Sequence, residues 1–245
     1  MNIERNIDNI NNHQGLSGTA LKWIAIITML IDHVGAAILE WRPFYYYDGV
    51  AVMDKICRTI GRISFPIFCF LLVEGFCHTG NVKKYMMRMS AFALISEIPF
   101  DLAFSGQVFD MGHQNVFLTL FLGLAMMAGL RRCEHISGFG GTLQRAGSLL
   151  IPCVLAWMFR TDYQYMGILI MLVFYWYRQI PSMRMAAGIP LLVMSSVDNY
   201  GAAVLSFLPV QLYNGKKGTS LKYLFYCFYP GHLILLYLLR VFLLK

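Results

Sequence analysis

Charged residues are scarce in this chain, and their scarcity excludes an ordinary soluble domain. Asp, Glu, Lys and Arg make up 13% of the 245 residues, against about a quarter in typical soluble globular proteins. Hydrophobic residues make up 58% of the chain, and they recur in long runs separated by short gaps. The composition therefore predicts an integral membrane protein in contact with membrane lipid.

Cysteine pairs and a signal peptide are also missing. The six cysteines form no CxxC motif, so the sequence predicts neither a disulfide framework nor a metal site. The first 18 residues are polar and lack the apolar core of a cleaved signal peptide. The net charge of +7 follows the ends of the apolar runs, so we expect no nucleic-acid partner. We divide the chain into a polar cytoplasmic segment, 1–18, and one membrane domain, 19–245.

The apolar runs predict an all-α, polytopic membrane bundle of about nine transmembrane segments, with eight or ten as alternatives. A helix rises about 1.5 Å per residue, so one crossing takes roughly 17–25 residues. The runs between 147 and 212 are shorter than this and predict tilted, broken or re-entrant helices. The segments are 20–39, 57–78, 85–104, 115–130, 147–159, 164–178, 186–197, 200–212 and 221–243.

Basic residues concentrate at alternate connections between these segments. The N-terminal segment and the even-numbered connections hold most of the Lys and Arg residues, whereas the odd-numbered connections hold acidic residues. By the positive-inside rule, the N-terminus and the even connections are predicted to be cytoplasmic. The basic residues are Arg5, Lys22, Lys83, Lys84, Arg88, Arg131, Arg132, Arg145, Arg178, Arg184, Lys216, Lys217 and Lys222; the acidic ones are Asp48, Asp54, Asp110, Asp162 and Asp198.

Asp32 and His33 are ionisable residues inside the first apolar segment. His33 follows Lys22 by eleven residues, which places it roughly 16 Å along the helix, a little outward of the membrane centre. An ionised Asp near a helix centre costs roughly 2.5–3.5 kcal/mol, so the pair should face protein or water, and such residues are functional-site candidates. The alternative for His33 is a buried neutral ring bonded to a backbone carbonyl.

Further polar residues are predicted at the same depth. Arg58 and Arg62 share one face of the second segment, and Glu97 and Asp101 share one face of the third, because residues four apart are neighbours on a helix. Two interpretations stay open. Either an arginine neutralises one of these carboxylates and ties the two segments together, or the group belongs to an active site.

In the active-site interpretation, His33 is a general base, since an unperturbed histidine pKa near 6.5 suits that role. Asp32 is also a catalytic candidate, but adjacent residues point about 100° apart on a helix, so Glu97 or Asp101 is the expected partner of the ring. Donors to a substrate carboxylate or a developing oxyanion are expected from Arg58, Arg62, Asn115 and His232. For His232 the alternative is packing within an aromatic helix.

Basic residues near the predicted cytoplasmic surface are candidates for binding a polyphosphate donor. The alternative is contact with anionic lipid, worth about 1 kcal/mol per basic residue, and charge alone does not separate the two. The candidates are Lys22, Lys83, Lys84, Arg88, Lys216 and Lys217.

Several motifs, in the same order, resemble the TraX family over about residues 17–240. They are the Asp32-His33 pair, GRISFPIFCFLLVEGF (61–76), KYMMRM (84–89), FALISEIPFD (92–101), NVFLTLFLGL (115–124), LYNGKKG (212–218) and FYPGHL (228–233).

The founding members of the TraX family acetylate the N-terminus of pilin. The resemblance implies an acyltransferase of a bacterial cytoplasmic membrane, with acetyl-CoA as donor substrate and an amine or hydroxyl acceptor reached from outside. The acceptor class and the oligomeric state stay open. The wider transmembrane acyltransferase superfamily, to which TraX proteins look related, has Arg-x10-His on the first helix. Here Lys22 stands in place of that Arg, and His33 matches.

Two other functions fit part of the pattern. Intramembrane acids, histidines and arginines also serve as proton relays, so a proton-coupled transporter is the alternative function. No inverted repeat is visible, although many secondary transporters have one. An intramembrane protease would need a Gly-x-Ser-Gly type of nucleophile, and neither Ser64 nor Ser96 lies in that setting.

Overall fold

The computed structural model describes residues 15–41, 48–219 and 222–243. These residues contain helices and no β-strand, which confirms the predicted all-α class. Most of the predicted polar segment 1–18, including Arg5, lies outside the described residues. The α-helices are α1 Gly18–Val34, α2 Asp48–Gly61, α3 Ser64–Cys77, α4 Val82–Phe104, α5 Val116–Arg132, α6 Gly138–Met158, α7 Gln164–Trp176, α8 Pro181–Ser195, α9 Phe207–Gln211 and α10 Lys222–Leu243.

Within the described ranges, three helical stretches are long and apolar enough to cross a membrane: Gly18–Leu39, Gly49–Cys77 and Tyr223–Leu243. The first continues α1 through a π-helical turn, Gly35–Leu39. The second joins α2 to α3 across a short turn and begins well before the predicted start at residue 57. These apolar helices indicate a membrane protein.

Exposed apolar side chains on the outer helix faces support the same conclusion. Leu94 on α4 is 79% exposed and Phe139 on α6 is 84% exposed, and Ile151 and Trp157 lie open on α6 as well. Soluble monomers rarely leave broad apolar surfaces uncovered, whereas lipid tails provide a matching environment.

The chain between α6 and α10 contains the short and broken helices that the sequence predicts. α7 and α8 have 13 and 15 residues. After α8 come two 3-10 segments, Val197–Asn199 and Ala202–Ser206. Tyr200 and Gly201 separate them with φ angles of 57° and 69°, and residues in this left-handed region do not continue a right-handed helix.

Contacts between connections divide the bundle into two ends. Where α1 begins, the N–H of Leu16 donates to the carbonyl oxygen of Leu212 at 2.7 Å; we call this the near end. On the side of the π-helical turn, the N–H of Asp162 donates to the carbonyl oxygen of Gln114 at 2.9 Å; we call this the far end. The N-terminal segment and the eighth predicted connection thus share the near end, and the third and fifth predicted connections share the far end, which is the grouping that the charge pattern predicts for these four.

Arg240 joins three helical segments at the far end. Its guanidinium donates to the carbonyl oxygens of Ala37, Ala103 and Leu102 at 3.3, 2.6 and 2.8 Å. It also lies 3.8 Å from the ring centroid of Trp41. The last carbonyls of a helix have no partner within the helix, so this buried arginine supplies donors to the end of α4.

We expect Arg240→Met to lower the free energy of unfolding by about 2–3 kcal/mol, because several charge-assisted hydrogen bonds are lost together. Thermal unfolding in detergent would measure the change. Arg132→Met is the matched control, since Arg132 is exposed at the end of α5. Equal midpoints for the two variants would show that the carbonyl contacts add no stability.

Candidate functional site

Asp32 and His33 lie in the last turn of α1, and both are buried. Their side chains diverge because adjacent residues point about 100° apart on a helix. Asp32 contacts the arginines at the end of α2, whereas His33 contacts α10. The predicted divergence is therefore confirmed.

The Asp32 carboxylate binds both of those arginines. Arg58 Nη1 lies 2.6 Å from Asp32 Oδ2, and Arg62 Nη2 lies 3.1 Å from Asp32 Oδ1. Arg58 Nε also lies 3.1 Å from the Glu40 carboxylate. Two carboxylates thus balance two guanidinium groups, which would be costly to bury unpaired.

Two glycines allow α1 and α2 to approach this closely. A Cβ atom on Gly61 would overlap the Asp32 carboxylate, and one on Gly35 would lie 3.2 Å from Arg58 Cδ. Because these two positions have no side chain, α1 and α2 come close enough for the ion pairs to form.

The predicted pairing of these arginines with Glu97 or Asp101 is wrong. Glu97 instead accepts a hydrogen bond from the side-chain amide of Asn115. Asp101 Oδ2 accepts a hydrogen bond from the backbone N–H of Asp110 at 2.8 Å. Both carboxylates therefore hold the connection between α4 and α5, and neither is the partner of His33.

Asn115 caps α5. Its side-chain oxygen accepts from the N–H of Phe117 at 2.9 Å, while its amide donates to the carbonyl oxygen of Ala93 at 2.8 Å and to Glu97. These bonds use the polar atoms of the side chain, so the geometry corrects its predicted role as an oxyanion donor.

The ring partner of His33 is His232. His33 Nδ1 lies 2.6 Å from His232 Nε2, and His232 Nδ1 lies 2.7 Å from the carbonyl oxygen of Phe228. The two rings are parallel within 1°. Both ring nitrogens of His232 have partners, which corrects its predicted role as a donor to substrate.

Two cavities meet at Asp32 and His33. The near cavity has a volume of about 560 Å³ and opens among the basic and aromatic residues of the near end. The far cavity has a volume of about 330 Å³, and half of the described residues that line it are Asp, Glu or Arg, including Arg58 and Arg62. Four residues line both cavities: Asp32, His33, Asp162 and Tyr163.

The near cavity contains half of the predicted donor-binding residues. Its lining includes Lys22, Arg88 and Lys217, whereas Lys83, Lys84 and Lys216 are exposed outside it. Cations on a cavity wall suit an anionic group. In the described parts of the chain, no group of three or more His, Cys, Asp or Glu comes together to hold a metal ion.

Comparison with known proteins identifies the family. The sequence model of the TraX protein family matches residues 17–240. The chain is 30% identical to a probable fimbrial assembly protein FimC, serogroup H1, of Dichelobacter nodosus, over 98% of this chain and 100% of the relative. The chain belongs to the TraX family. It is also 30% identical to an uncharacterized protein of Rickettsia prowazekii (strain Madrid E), over 47% of this chain and 36% of the relative. No solved structure matches it significantly.

In this TraX protein the connection before α7 supplies site residues that sequence reasoning missed. Asp162, which the sequence places only among the acidic residues of the odd-numbered connections, lines both cavities. Tyr163 has a φ angle of 62° and stacks on Phe65 at a centroid distance of 3.7 Å. His113 lies 3.9 Å from the Asp162 carboxylate, which raises the pKa of His113. The sequence shows Asp162 as an acid directly before a helix. It does not show that Asp162 faces the cavities, because this depends on the left-handed backbone of neighbouring residues.

The Asp32 cluster yields a prediction about Gly61. Gly61→Ala should lower the thermal midpoint, because overpacking against the Asp32 carboxylate costs about 1–3 kcal/mol. The control is Gly49→Ala on the same helix, where a Cβ atom meets nothing within 4 Å. That control should hold or raise the midpoint, since Ala favours a helix over Gly by about 0.5–1 kcal/mol. A stabilised Gly61→Ala variant would contradict the close approach.

Proposed function

We propose that this TraX protein is a membrane-embedded acyltransferase that moves an acetyl group from cytoplasmic acetyl-CoA to an amine or hydroxyl acceptor reached from the outer side. The observation that carries the proposal is the position of His33, where cavities from opposite ends of the bundle meet. Donor and acceptor approach one base from opposite sides, so neither has to cross the membrane.

The near cavity suits a phosphopantetheine thioester. Lys22, Arg88 and Lys217 supply positive charge for phosphates. Between them and His33 the wall is largely aromatic, with Phe225, Tyr226 and Tyr229, which suits an extended arm of low charge. Lys22 begins this path, and His33 ends it eleven residues further along α1.

The far cavity favours a cationic acceptor. Five carboxylates line it, against two arginines. An acid-rich cleft concentrates cations and repels anions, so an amine fits better than an anionic lipid or glycan. The carboxylates are Asp32, Glu40, Asp101, Asp110 and Asp162.

Acyl transfer needs a base for the acceptor proton and hydrogen-bond donors for the developing oxyanion. A protonated amine first gives one proton to solvent, because an ammonium nitrogen has no lone pair. The neutral amine or the hydroxyl then attacks the thioester carbonyl carbon, and His33 removes its remaining proton. Arg58 and Arg62, held by Asp32, keep further N–H groups that stabilise the developing oxyanion. The carbon–sulfur bond then breaks, and His33 returns the proton to the thiolate of coenzyme A.

The name of one relative supports a pilus-related acceptor. The relative from Dichelobacter nodosus is named a probable fimbrial assembly protein, and founding TraX members act on the N-terminal amine of pilin. A pilin-like peptide with a free amino terminus is therefore the first acceptor to test.

The proposal includes a topology of about nine crossings of a bacterial cytoplasmic membrane with the near end in the cytoplasm. Single cysteines introduced near Lys83, Arg132 and Lys216 should react only from the cytoplasmic side, and one near Asp110 only from outside. Membrane-impermeant thiol reagents applied to oriented vesicles would measure this. Labelling near Lys216 from outside would overturn the orientation and the donor side together.

One pair of experiments distinguishes acetyl transfer from solute transport. Purified protein in detergent, given radiolabelled acetyl-CoA and peptides with free or blocked amino termini, should label only the free amine. Uptake of solute into proteoliposomes without label transfer would favour the alternative, a proton-coupled transporter using the charged groups around His33.

His33→Ala should reduce the rate of transfer by about 10²–10⁴-fold, the usual effect of removing a general base, while donor binding is retained. Lys22→Ala should mainly raise the KM for acetyl-CoA, because a charge contact is lost and the base is kept. Steady-state kinetics with varied donor would distinguish the two.

Lys84→Ala is the matched control for Lys22→Ala, since Lys84 is exposed outside the near cavity. It should show kinetic constants close to those of the parent protein. Transfer at the parent rate by His33→Ala would exclude the proposed mechanism, even if the protein transfers acetyl groups.

A further inference from the structure

We propose that His232 is a positioning residue that fixes the tautomer of His33, so that His33 carries its proton on Nδ1 and presents the lone pair of Nε2 to the substrates. This inference rests on the proposed function, and it specifies which atom is the base.

The backbone of α10 holds the His232 ring. The Phe228 carbonyl oxygen lies 2.7 Å from His232 Nδ1. A carbonyl oxygen only accepts hydrogen bonds, so His232 Nδ1 must carry a hydrogen. This bond spans four residues within one helix turn, and it holds the His232 ring in a fixed orientation.

The other nitrogen of His232, Nε2, faces His33 Nδ1. A neutral imidazole has one N–H and one lone pair, so His232 Nε2 accepts. His33 Nδ1, at 2.6 Å, must then be the donor. Among the described residues, the hydrogen bond of the His33 ring is the one from Nδ1 to His232, which leaves Nε2 available, and His33 lines both cavities.

The opposite arrangement would require a cationic His232. That ring packs against Phe228 and Tyr229 and has no carboxylate partner within the described ranges. An unpaired charge buried among apolar groups is strongly disfavoured.

The fixed tautomer determines the path of the proton. As the acceptor forms its bond to the carbonyl carbon, its proton moves to Nε2 of His33. The bond from Nδ1 to His232 is kept, so the ring need not turn. When the carbon–sulfur bond breaks, the same Nε2 proton moves to sulfur, and the starting tautomer is restored.

The direct test is ¹⁵N NMR of the full-length protein in detergent with ¹⁵N-labelled histidine. The His33 signals are assigned by their loss in His33→Ala. The expected result is a protonated Nδ1 and an unprotonated Nε2 at neutral pH. A protonated Nε2 would overturn the inference. The outcome does not depend on transfer, so absent transfer with a protonated Nδ1 would overturn the proposed function while supporting the tautomer assignment.

Two substitutions at His232 test the consequence for catalysis. His232→Leu removes the acceptor and should lower kcat at least about 10-fold and up to about 10⁴-fold, since loss of an orienting partner gives the wrong tautomer. The KM values for acetyl-CoA and the acceptor peptide should change little. His232→Gln keeps an acceptor oxygen within reach and should recover much of the lost kcat.

The ¹⁵N signals of His33 in the two His232 variants show whether a change in kcat accompanies a change of tautomer. His232→Leu should mix the two His33 tautomers, and His232→Gln should restore the protonated Nδ1. Equal kcat for the Leu variant and the parent, or equal losses for Leu and Gln with an unchanged His33 tautomer, would overturn the positioning role.

Discussion

The shared carboxylate of Asp32 is the constraint on which the site depends. Two arginines and a carboxylate are expensive to place in a bundle of low polarity unless they neutralise one another. Asp32 uses one oxygen for each arginine, and Glu40 offsets the remaining charge. This arrangement fixes the separation of α1 and α2, and Gly35 and Gly61 lie where a side chain would prevent it.

The same ion pairs prepare the arginines for the proposed chemistry. A guanidinium has five N–H donors in a rigid fork. Arg58 commits one nitrogen to Asp32 and another to Glu40, and Arg62 commits one to Asp32 and its Nε to the carbonyl of Arg58. Donors held in place before the reaction stabilise developing charge without reorganisation. The cluster therefore sets both the packing of α1 and the electrostatic environment of the far cavity.

Sequence periodicity predicts which residues share a helix face, but it does not predict how the helices are rotated against one another. The positions of Arg58, Arg62, Asp32 and His33 follow from spacing alone, as does the divergence of the last two. Their partners do not. Glu97 and Asp101 have the right spacing, yet they bind the loop after α4. The arginines of α2 pair with Asp32 because α2 packs mainly against α1.

Two kinds of residue were beyond sequence reasoning. Tyr163 enters the site through a left-handed backbone conformation, which no hydrophobic pattern encodes. Arg240 looks like an anchor at the end of an apolar helix, and only the packing of α10 against α4 shows its bonds to backbone carbonyls. Broken helices between α6 and α10 were predictable because their apolar runs are too short to cross a membrane.

A histidine partner for His33, rather than a carboxylate, suits a base inside a membrane bundle. A carboxylate beside the ring would stabilise the imidazolium, but it would add another negative charge to a cavity that already has five carboxylates and two arginines in its lining. A neutral His232 orients the ring without changing that balance. In the proposed mechanism the imidazolium of His33 forms as the oxyanion forms, and both disappear when the carbon–sulfur bond breaks. Charge therefore develops only as an opposite pair, which donors held in place before the reaction stabilise without reorganisation.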